Sequence, residues 1–243
     1  MLKPEFLRMS ARSGCCEPNP NTPERAVGLN QLDSRAIGRA SCFAQRFMRP
    51  GTYEYAIVPG YGHALAAEFP FRVVVEDSKS EAMTQHNVLV REGKQGLEVD
   101  QPEVRIRLGD MVLWSGNGRT TSAFAVAGEQ PFFNSHRMVN ECGYSHAFGT
   151  PGDYRWVDAF GSGLQGTIRV RDAEPGEKGL AEWRRRLNEG MLVMIAHGNA
   201  DRPEVDIMVG QTVFFAVIDG PGISVTDERL VELGRQAAAT KAA

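Results

Sequence analysis

Three residues of one short segment carry side chains that could bind a metal ion. His136, Cys142 and His146 lie in the run HRMVNECGYSH, and residues four apart on a strand, such as Cys142 and His146, project from the same face. Glu141 or Asp158 could add a carboxylate oxygen, and such a ligand set suits zinc, iron or copper. The spacing is not that of a compact metal motif, however. Two loop histidines and one buried cysteine explain the same residues.

Other catalytic motifs are missing from the sequence. It has neither the G-x-S-x-G elbow of hydrolases nor a phosphate loop of the Walker type. The run GSG at 161–163 resembles a phosphate-binding turn, but no helix is expected after it, so we interpret it as a hairpin loop. Asp153 and Asp158 flank Trp156 and could pair two carboxylates with an aromatic ring, although exposed strand positions explain them equally well. We can name no residues for a metal-free enzyme.

Composition limits the class of protein. The chain has 243 residues, 42% of them hydrophobic and 23% charged, with a net charge of −3, which is typical of a soluble globular protein. There is no basic domain for nucleic acid and no apolar run of about 18 residues for a membrane span. Residues 1–30 are rich in proline and lack the apolar stretch of a signal peptide, so we expect a flexible arm on a cytoplasmic protein. Cys15 and Cys16 in this arm are then expected to be thiols.

Two motifs recur with the same long offset, which predicts an internal duplication. The stretch PEVRIRLGDMVLW at 102–114 is nearly repeated as PEVDIMVGQTVFF at 203–215, and 203 − 102 is 101. The turn motif PGTYEY at 50–55 returns as PGDYRW at 151–156, again 101 residues later. A single offset shared by two unrelated motifs is the signature of a repeated structural unit.

The elements that carry these motifs are short strands. Alternating apolar and polar residues at close spacing, punctuated by turns, predict an all-β chain built as sandwiches or barrels. Leu180, Trp183 and Leu187 recur at helical spacing and predict a linker helix over 177–188. Residues 227–243 are expected to form a C-terminal helix and tail.

The order of the repeated motifs suggests how the strands are shared between two domains. Residues 85–172 hold a PEV unit followed by a PG-x-Y unit, and we expect them to form one contiguous sandwich. Residues 38–77 and 190–226 each hold one unpaired unit, so we expect these two segments to pair as a split, circularly permuted sandwich. This pairing could form within one chain or between chains, and we expect a homo-oligomer.

These strands resemble a known family. The pattern V-x-I-x-LGD-x-V-x-W at 104–114 is similar to the early strands of cupredoxins, the blue-copper fold, and residues 151–170 resemble their closing hairpin, as do residues 50–75. The resemblance implies two Greek-key β-sandwiches, and it would imply a copper site made of two histidines, one cysteine and a weak methionine.

The ligands that the resemblance calls for are not at their positions. In the contiguous sandwich the cysteine position falls on Asp158, the second histidine falls near Gly161 and the methionine near Leu164, while the first histidine would lie at 121–123, which reads TSA. The resemblance therefore does not imply a blue-copper centre in this domain.

The split sandwich lacks the ligands as well. Its cysteine position falls on Ile57, and the first histidine would lie at 220–223, which reads GPGI. Only His63 is near a ligand position, and we interpret it as a surface or interface residue.

Two classes of function remain open at this stage. The first is a copper-free cupredoxin-like binding or assembly subunit, which forms a homo-oligomer or binds a protein partner and has no cofactor. The second is a metal-dependent redox protein or enzyme with a non-standard copper, zinc or iron site around His136, Cys142 and His146. Neither class involves nucleic acid or a membrane.

Overall fold

The fold was obtained as a computed structural model, which describes residues 31–61, 68–79, 82–94, 96–116 and 122–242. As expected, the chain is mostly β. Within these ranges the strands are β1 (Ser41–Arg46), β2 (Gly51–Pro59), β3 (Phe71–Lys79), β4 (Gln85–Glu92), β5 (Leu97–Val99), β6 (Glu103–Leu108), β7 (Met111–Gly116), β8 (Phe124–Gly128), β9 (Met138–Ala147), β10 (Gly152–Val157), β11 (Gln165–Arg171), β12 (Met191–Ala196), β13 (Asn199–Ala200), β14 (Glu204–Met208), β15 (Thr212–Ile223) and β16 (Thr226–Asp227), and the helices are α1 (Glu177–Leu187) and α2 (Glu228–Ala242).

The strands form one long sheet and two short ones. The long sheet has the order β13-β12-β15-β9-β1-β7-β4-β5, and the short sheets have the orders β14-β11-β10-β16 and β6-β3-β2-β8. The side chain of Tyr55 on β2 packs edge-on against Trp114 on β7, with ring centroids 5.4 Å apart, and Trp156 on β10 packs in the same way against Phe215 on β15. Each short sheet therefore covers one half of the long sheet, which gives two β-sandwiches side by side.

The two sandwiches repeat each other's strand order and register. Strands β1–β8 build the first half and β9–β16 the second. Gly51 pairs with Val75 between β2 and β3, as Gly152 pairs with Val170 between β10 and β11. The halves meet where β1 and β9 pair antiparallel. At the centre of that pairing Phe43 lies opposite Tyr144, its equivalent 101 residues later (144 − 43). The halves are therefore related by a local two-fold axis through this pair, as two subunits of a symmetric dimer would be.

This arrangement differs from the expected split domain. The PEV unit of β6 pairs in parallel with β3 of its own half, through partners such as Val73 and Val104, and β14 pairs in parallel with β11, through partners such as Ile168 and Val205. Residues 38–77 thus join with 85–128, not with 190–226, and the contiguous unit of 85–172 is divided between the halves. In both sandwiches the PG-x-Y hairpin comes first and the PEV unit second. The repeated motifs fit either pairing, because equivalent edges carry nearly the same residues.

The segment that precedes each half crosses to the other one. Ser34, ahead of β1, donates its backbone N–H to Val225 O at 2.9 Å and accepts from Val225 N on its hydroxyl at 3.1 Å. Ser135, ahead of β9, makes the same two bonds with Val126, at 3.0 Å each. The short sheets are therefore joined at the local two-fold axis by residues 31–37. We call this junction between the two halves the seam.

The two helices lie close to their predicted positions. Helix α1 spans Glu177–Leu187, inside the expected 177–188, and Trp183 donates from Nε1 to Val209 O at 2.8 Å. Leu180, expected on the packed face, is exposed. Neither of the described helices has the length and apolar character needed to cross a lipid bilayer. The expected arm of residues 1–30 and His63 lie outside the described residues.

Candidate functional site

The three predicted metal ligands do not come together. Cys142 and His146 are both buried on β9 and share a face, as expected. Four residues of a strand, however, rise about 13 Å, and a metal ion holds its ligands at about 2 Å. Among the residues that the structure describes, no three His, Cys, Asp or Glu side chains are grouped as metal ligands.

His146 belongs to a buried network at the seam. Its Nδ1 lies 2.8 Å from Ser41 Oγ on the neighbouring strand β1 and 3.3 Å from the Tyr144 hydroxyl, while its ring packs edge-on against Phe148. Burial lowers the pKa of His146 to about 4, although the nearby charge of Asp227 raises it in part. The imidazole is therefore neutral at pH 7 and serves as a hydrogen-bonding group between the halves.

The other two predicted ligands lie in different surroundings. Burial raises the pKa of Cys142 to about 12, against the smaller effect of backbone N–H groups nearby. The side chain is thus a thiol, not the thiolate that binds metals. His136 is buried in a turn where its backbone N–H donates to Asn134 Oδ1 at 2.8 Å.

The residues at which the cupredoxin resemblance would place the copper-binding cysteines have structural contacts. Asp158, at the cysteine position, accepts hydrogen bonds from the backbone N–H groups of Phe160, Ser162 and Ser224 at 2.8–3.1 Å. Burial alone would raise the pKa of Asp158, but these donors lower it overall. Ile57, at the other cysteine position, is a buried aliphatic side chain. Neither position supplies a thiolate, so these residues do not fit a blue-copper ion.

Asp158 is one end of a larger polar group at the seam, which sequence analysis missed. We call it the seam cluster, and it comprises Asp33, Arg35, Tyr61, Asp158, Ser224 and Thr226. Hydrogen bonds connect its members without a break. Ser224 Oγ lies 3.3 Å from Asp158 Oδ1, Thr226 Oγ1 lies 3.1 Å from Ser224 Oγ and 3.3 Å from Asp33 Oδ1, and the Tyr61 hydroxyl donates to Asp33 Oδ2 at 3.0 Å.

Asp33 is the buried charge around which the cluster forms. Its side chain is fully buried and forms a bidentate ion pair with Arg35, with Nε–Oδ1 at 3.0 Å and Nη2–Oδ2 at 2.9 Å. Burial alone would lower the pKa of Arg35, but the hydrogen bond and the charge of Asp33 raise it. A buried carboxylate is tolerated only with such partners, so the ion pair and the hydrogen bond from the Tyr61 hydroxyl offset the cost of burying Asp33.

Two exposed aromatic side chains lie at the ends of the cluster, each stacked with an arginine. Tyr61 is 49% exposed and lies under Arg35, whose guanidinium carbon is 5.4 Å from the ring centroid. Phe160 follows Asp158 by two residues and is 38% exposed. The guanidinium carbon of Arg137 lies 4.2 Å from the centroid of its ring. Tyr61 also has a φ of 63°, a left-handed conformation that non-glycine residues adopt at some cost. Burial and the charge of Asp33 raise the pKa of its hydroxyl to about 12.

Comparison of the two halves shows that this cluster is not required by the fold. The bridge between Asp33 and Thr226 has its equivalent in the bridge between Asn134 and Ala127. The equivalent residues are neutral or apolar at four positions, with Asn134 in place of Asp33, Ala127 in place of Thr226, Ala125 in place of Ser224 and Ile57 in place of Asp158. The same backbone junction thus forms with the amide of Asn134 in place of the buried carboxylate of Asp33. Because ion pairs in a core seldom stabilise more than apolar residues do, we regard the seam cluster as a candidate functional site.

No protein-family model, no curated protein and no solved structure matches the chain.

Proposed function

We propose that the chain is a copper-free, cupredoxin-like binding or assembly subunit that contacts a protein partner through the seam. On this proposal the chain carries two related sandwiches, and the closing loop that would hold copper instead forms part of a protein-binding surface. The resemblance of the repeated strands to cupredoxins supports the fold family, and the loss of both thiolate positions supports a role without copper.

The observation that carries the proposal is the asymmetry between two equivalent junctions. One junction has an amide or apolar side chain at four of the positions of the seam cluster. The other has a hydrogen-bonded ion pair, a tyrosine in a strained conformation and two exposed aromatic rings under arginines. Tyrosine and arginine are enriched among the residues that dominate binding energy in protein interfaces. The hydrogen bonds of the seam cluster also restrain the residues that carry these side chains, which reduces the entropy that they lose when a partner binds.

Site-specific photo-crosslinking in the cells that make the protein tests this proposal. A benzoyl-phenylalanine residue placed at Phe160 in the full chain reports whatever lies within reach of the seam. Met48 and Leu89 are suitable control positions, because they are apolar and similarly exposed, at 49% and 41%. Mass spectrometry then distinguishes a second copy of the chain from a different protein.

We expect discrete crosslinked products from position 160 and not from positions 48 and 89. The products should weaken when Arg137→Ala removes the arginine over the ring, while the free energy of unfolding stays within about 0.5 kcal/mol of the wild type, as is usual for surface changes. The same products from all three positions, or none from position 160, would rule out the seam as the binding surface.

A further inference from the structure

The outer edges of the two short sheets are equivalent in position but differ in what covers them. In the first half this edge is β6, and in the second half it is β14. The backbone pairing is the same in both. Arg72 N donates to Pro102 O at 2.9 Å, and Thr167 N donates to Pro203 O at 2.7 Å. In a parallel pair bonded in this way alternate residues face the neighbouring strand, so Arg105 of β6 and Asp206 of β14 turn their backbone groups outward.

Helix α1 covers the edge of β14. Arg186 donates from Nη2 to the outward carbonyl of Asp206 at 3.2 Å. Gln211 fixes the end of the helix, because its Nε2 donates to Arg186 O at 2.7 Å and to Glu189 O at 2.8 Å. The outward backbone of β14 is therefore partly satisfied within the chain, and the helix blocks the approach of another strand.

Among the residues that the structure describes, no helix lies in the equivalent connection beside the edge of β6. The connection from β3 to β4 runs from Lys79 to Gln85, whereas the equivalent connection from β11 to β12 contains α1. In the described part of the chain β6 is the last strand of its sheet and pairs only with β3, so the outward N–H and C=O of Arg105 face no further strand. Unpaired groups along the edge of a sheet form a template for another strand.

The side chains of this edge are complementary to a second copy of themselves. Val104 and Ile106 point into the core, and Glu103 and Arg105 lie on the outer face. If two β6 strands run antiparallel with Val104 opposite Val104, Glu103 of each chain lies opposite Arg105 of the other. Opposite charges directly across a strand pair are stabilising, and both such pairs form at once because of the two-fold symmetry.

We propose that β6 pairs antiparallel with β6 of a second copy, and that α1 prevents the same pairing at β14. The β6-β3-β2-β8 sheets of the two copies then form one continuous sheet across a two-fold axis. Of the two outer edges of the short sheets, only that of β6 is left open by the described part of the chain, so pairing through this edge ends at a closed dimer. Two open edges of this kind would allow fibres. This inference deepens the proposed assembly function, on which it rests, by naming one partner as the chain itself.

Proline substitutions at equivalent positions test the pairing in the full chain. Arg105→Pro removes the outward N–H from β6, and Asp206→Pro is the matched control on β14. Proline is tolerated at an edge position whose N–H faces solvent. Sedimentation equilibrium over a dilution series should show a dimer for the wild type and for Asp206→Pro. For Arg105→Pro the dissociation constant should rise at least about tenfold, since two hydrogen bonds are lost per dimer. A monomeric wild type, or equal effects of the two prolines, would overturn the proposal.

Charge exchange gives a second test that does not depend on the backbone. Glu103→Arg places a positive charge at both position 103 and position 105, and Arg105→Glu places a negative charge at both. Each variant alone should be monomeric, and their mixture should form a heterodimer, because both pairs between positions 103 and 105 are then of opposite charge. Dimers of either variant alone, or no dimer on mixing, would contradict the pairing. Crosslinking from position 160 tests the seam separately. A negative result for the β6 edge therefore does not refute binding at the seam, and a negative result at the seam does not refute pairing at β6.

Discussion

Protonation of His146 should loosen the seam, and the substitution His146→Gln isolates that effect. His146 is a neutral, fully enclosed hydrogen-bonding group between the halves. Its equivalent in the first half is Gln45 (146 − 101), which is also buried and donates to the carbonyls of Asn140 and Glu141. A glutamine is thus compatible with this position in the fold and does not titrate.

The magnitude follows from the two pKa values. An ordinary histidine has a pKa of 6.5, and that of His146 in the folded protein is about 4. Between these values the unfolded chain binds more protons than the folded one, so stability falls as the pH falls. The contribution of neutral His146 is fully present above pH 6.5. At pH 4 about 3 kcal/mol of it is lost, at about 1.4 kcal/mol for each pH unit.

Urea denaturation of both proteins at pH 7, 5.5 and 4 measures this loss. Carboxylates titrate in the same range, but they are common to wild type and variant and cancel in the difference. His146→Gln should therefore lose about 3 kcal/mol less than the wild type between pH 7 and pH 4. Parallel pH profiles for the two proteins would refute a buried neutral histidine at the seam.

Further predictions concern packing, the loop of Asp158 and thiol reactivity. A Cβ atom on Gly166 would lie 2.2 Å from Pro203 O, whereas one on Gly149 would meet nothing within 4 Å. Gly166→Ala should therefore lower the free energy of unfolding, measured by urea denaturation, by about 1–3 kcal/mol. Gly149→Ala should leave the free energy of unfolding nearly unchanged. Asp158→Ala should cost about 2–4 kcal/mol in the same assay, because buried N–H groups lose their acceptor; a neutral effect would contradict the loop geometry. Cys142 should react with iodoacetamide only after unfolding, as shown by peptide mapping, and rapid labelling at pH 8 in the native protein would argue against its burial.

The sequence was sufficient to predict the units of this fold but not their pairing. The PG-x-Y motif marks β2 and β10, and the PEV motif marks β6 and β14, because turn residues and alternating side chains determine local structure. Pairing depends on which copy of a nearly identical edge each strand meets. Val104 and Val205 offer the same apolar edge to β3 and β11, so side-chain pattern alone cannot choose between the two partners.

The candidate site was harder to predict than the strands. Asp33 and Arg35 lie in a segment without periodicity, and their importance depends on Thr226, nearly 200 residues later in the chain. The one available signal was internal. Alignment of the segments before β1 and β9 places Asp33 against Asn134 and Arg35 against His136, and an acidic–basic pair opposite an asparagine and a histidine would have marked the position. The predicted ligand pair of Cys142 and His146 failed for a geometric reason, since a shared strand face does not bring residues four apart within reach of one ion.

Copper binding is the most direct test of the proposed copper-free function. The full chain, carrying Cys15→Ser and Cys16→Ser to remove the adjacent thiols of the N-terminal segment, is dialysed against copper and followed by metal analysis and visible absorption. We predict no stoichiometric copper and no copper–thiolate absorption band. One copper ion per chain that is lost in Asp158→Ala would contradict the proposed copper-free binding function.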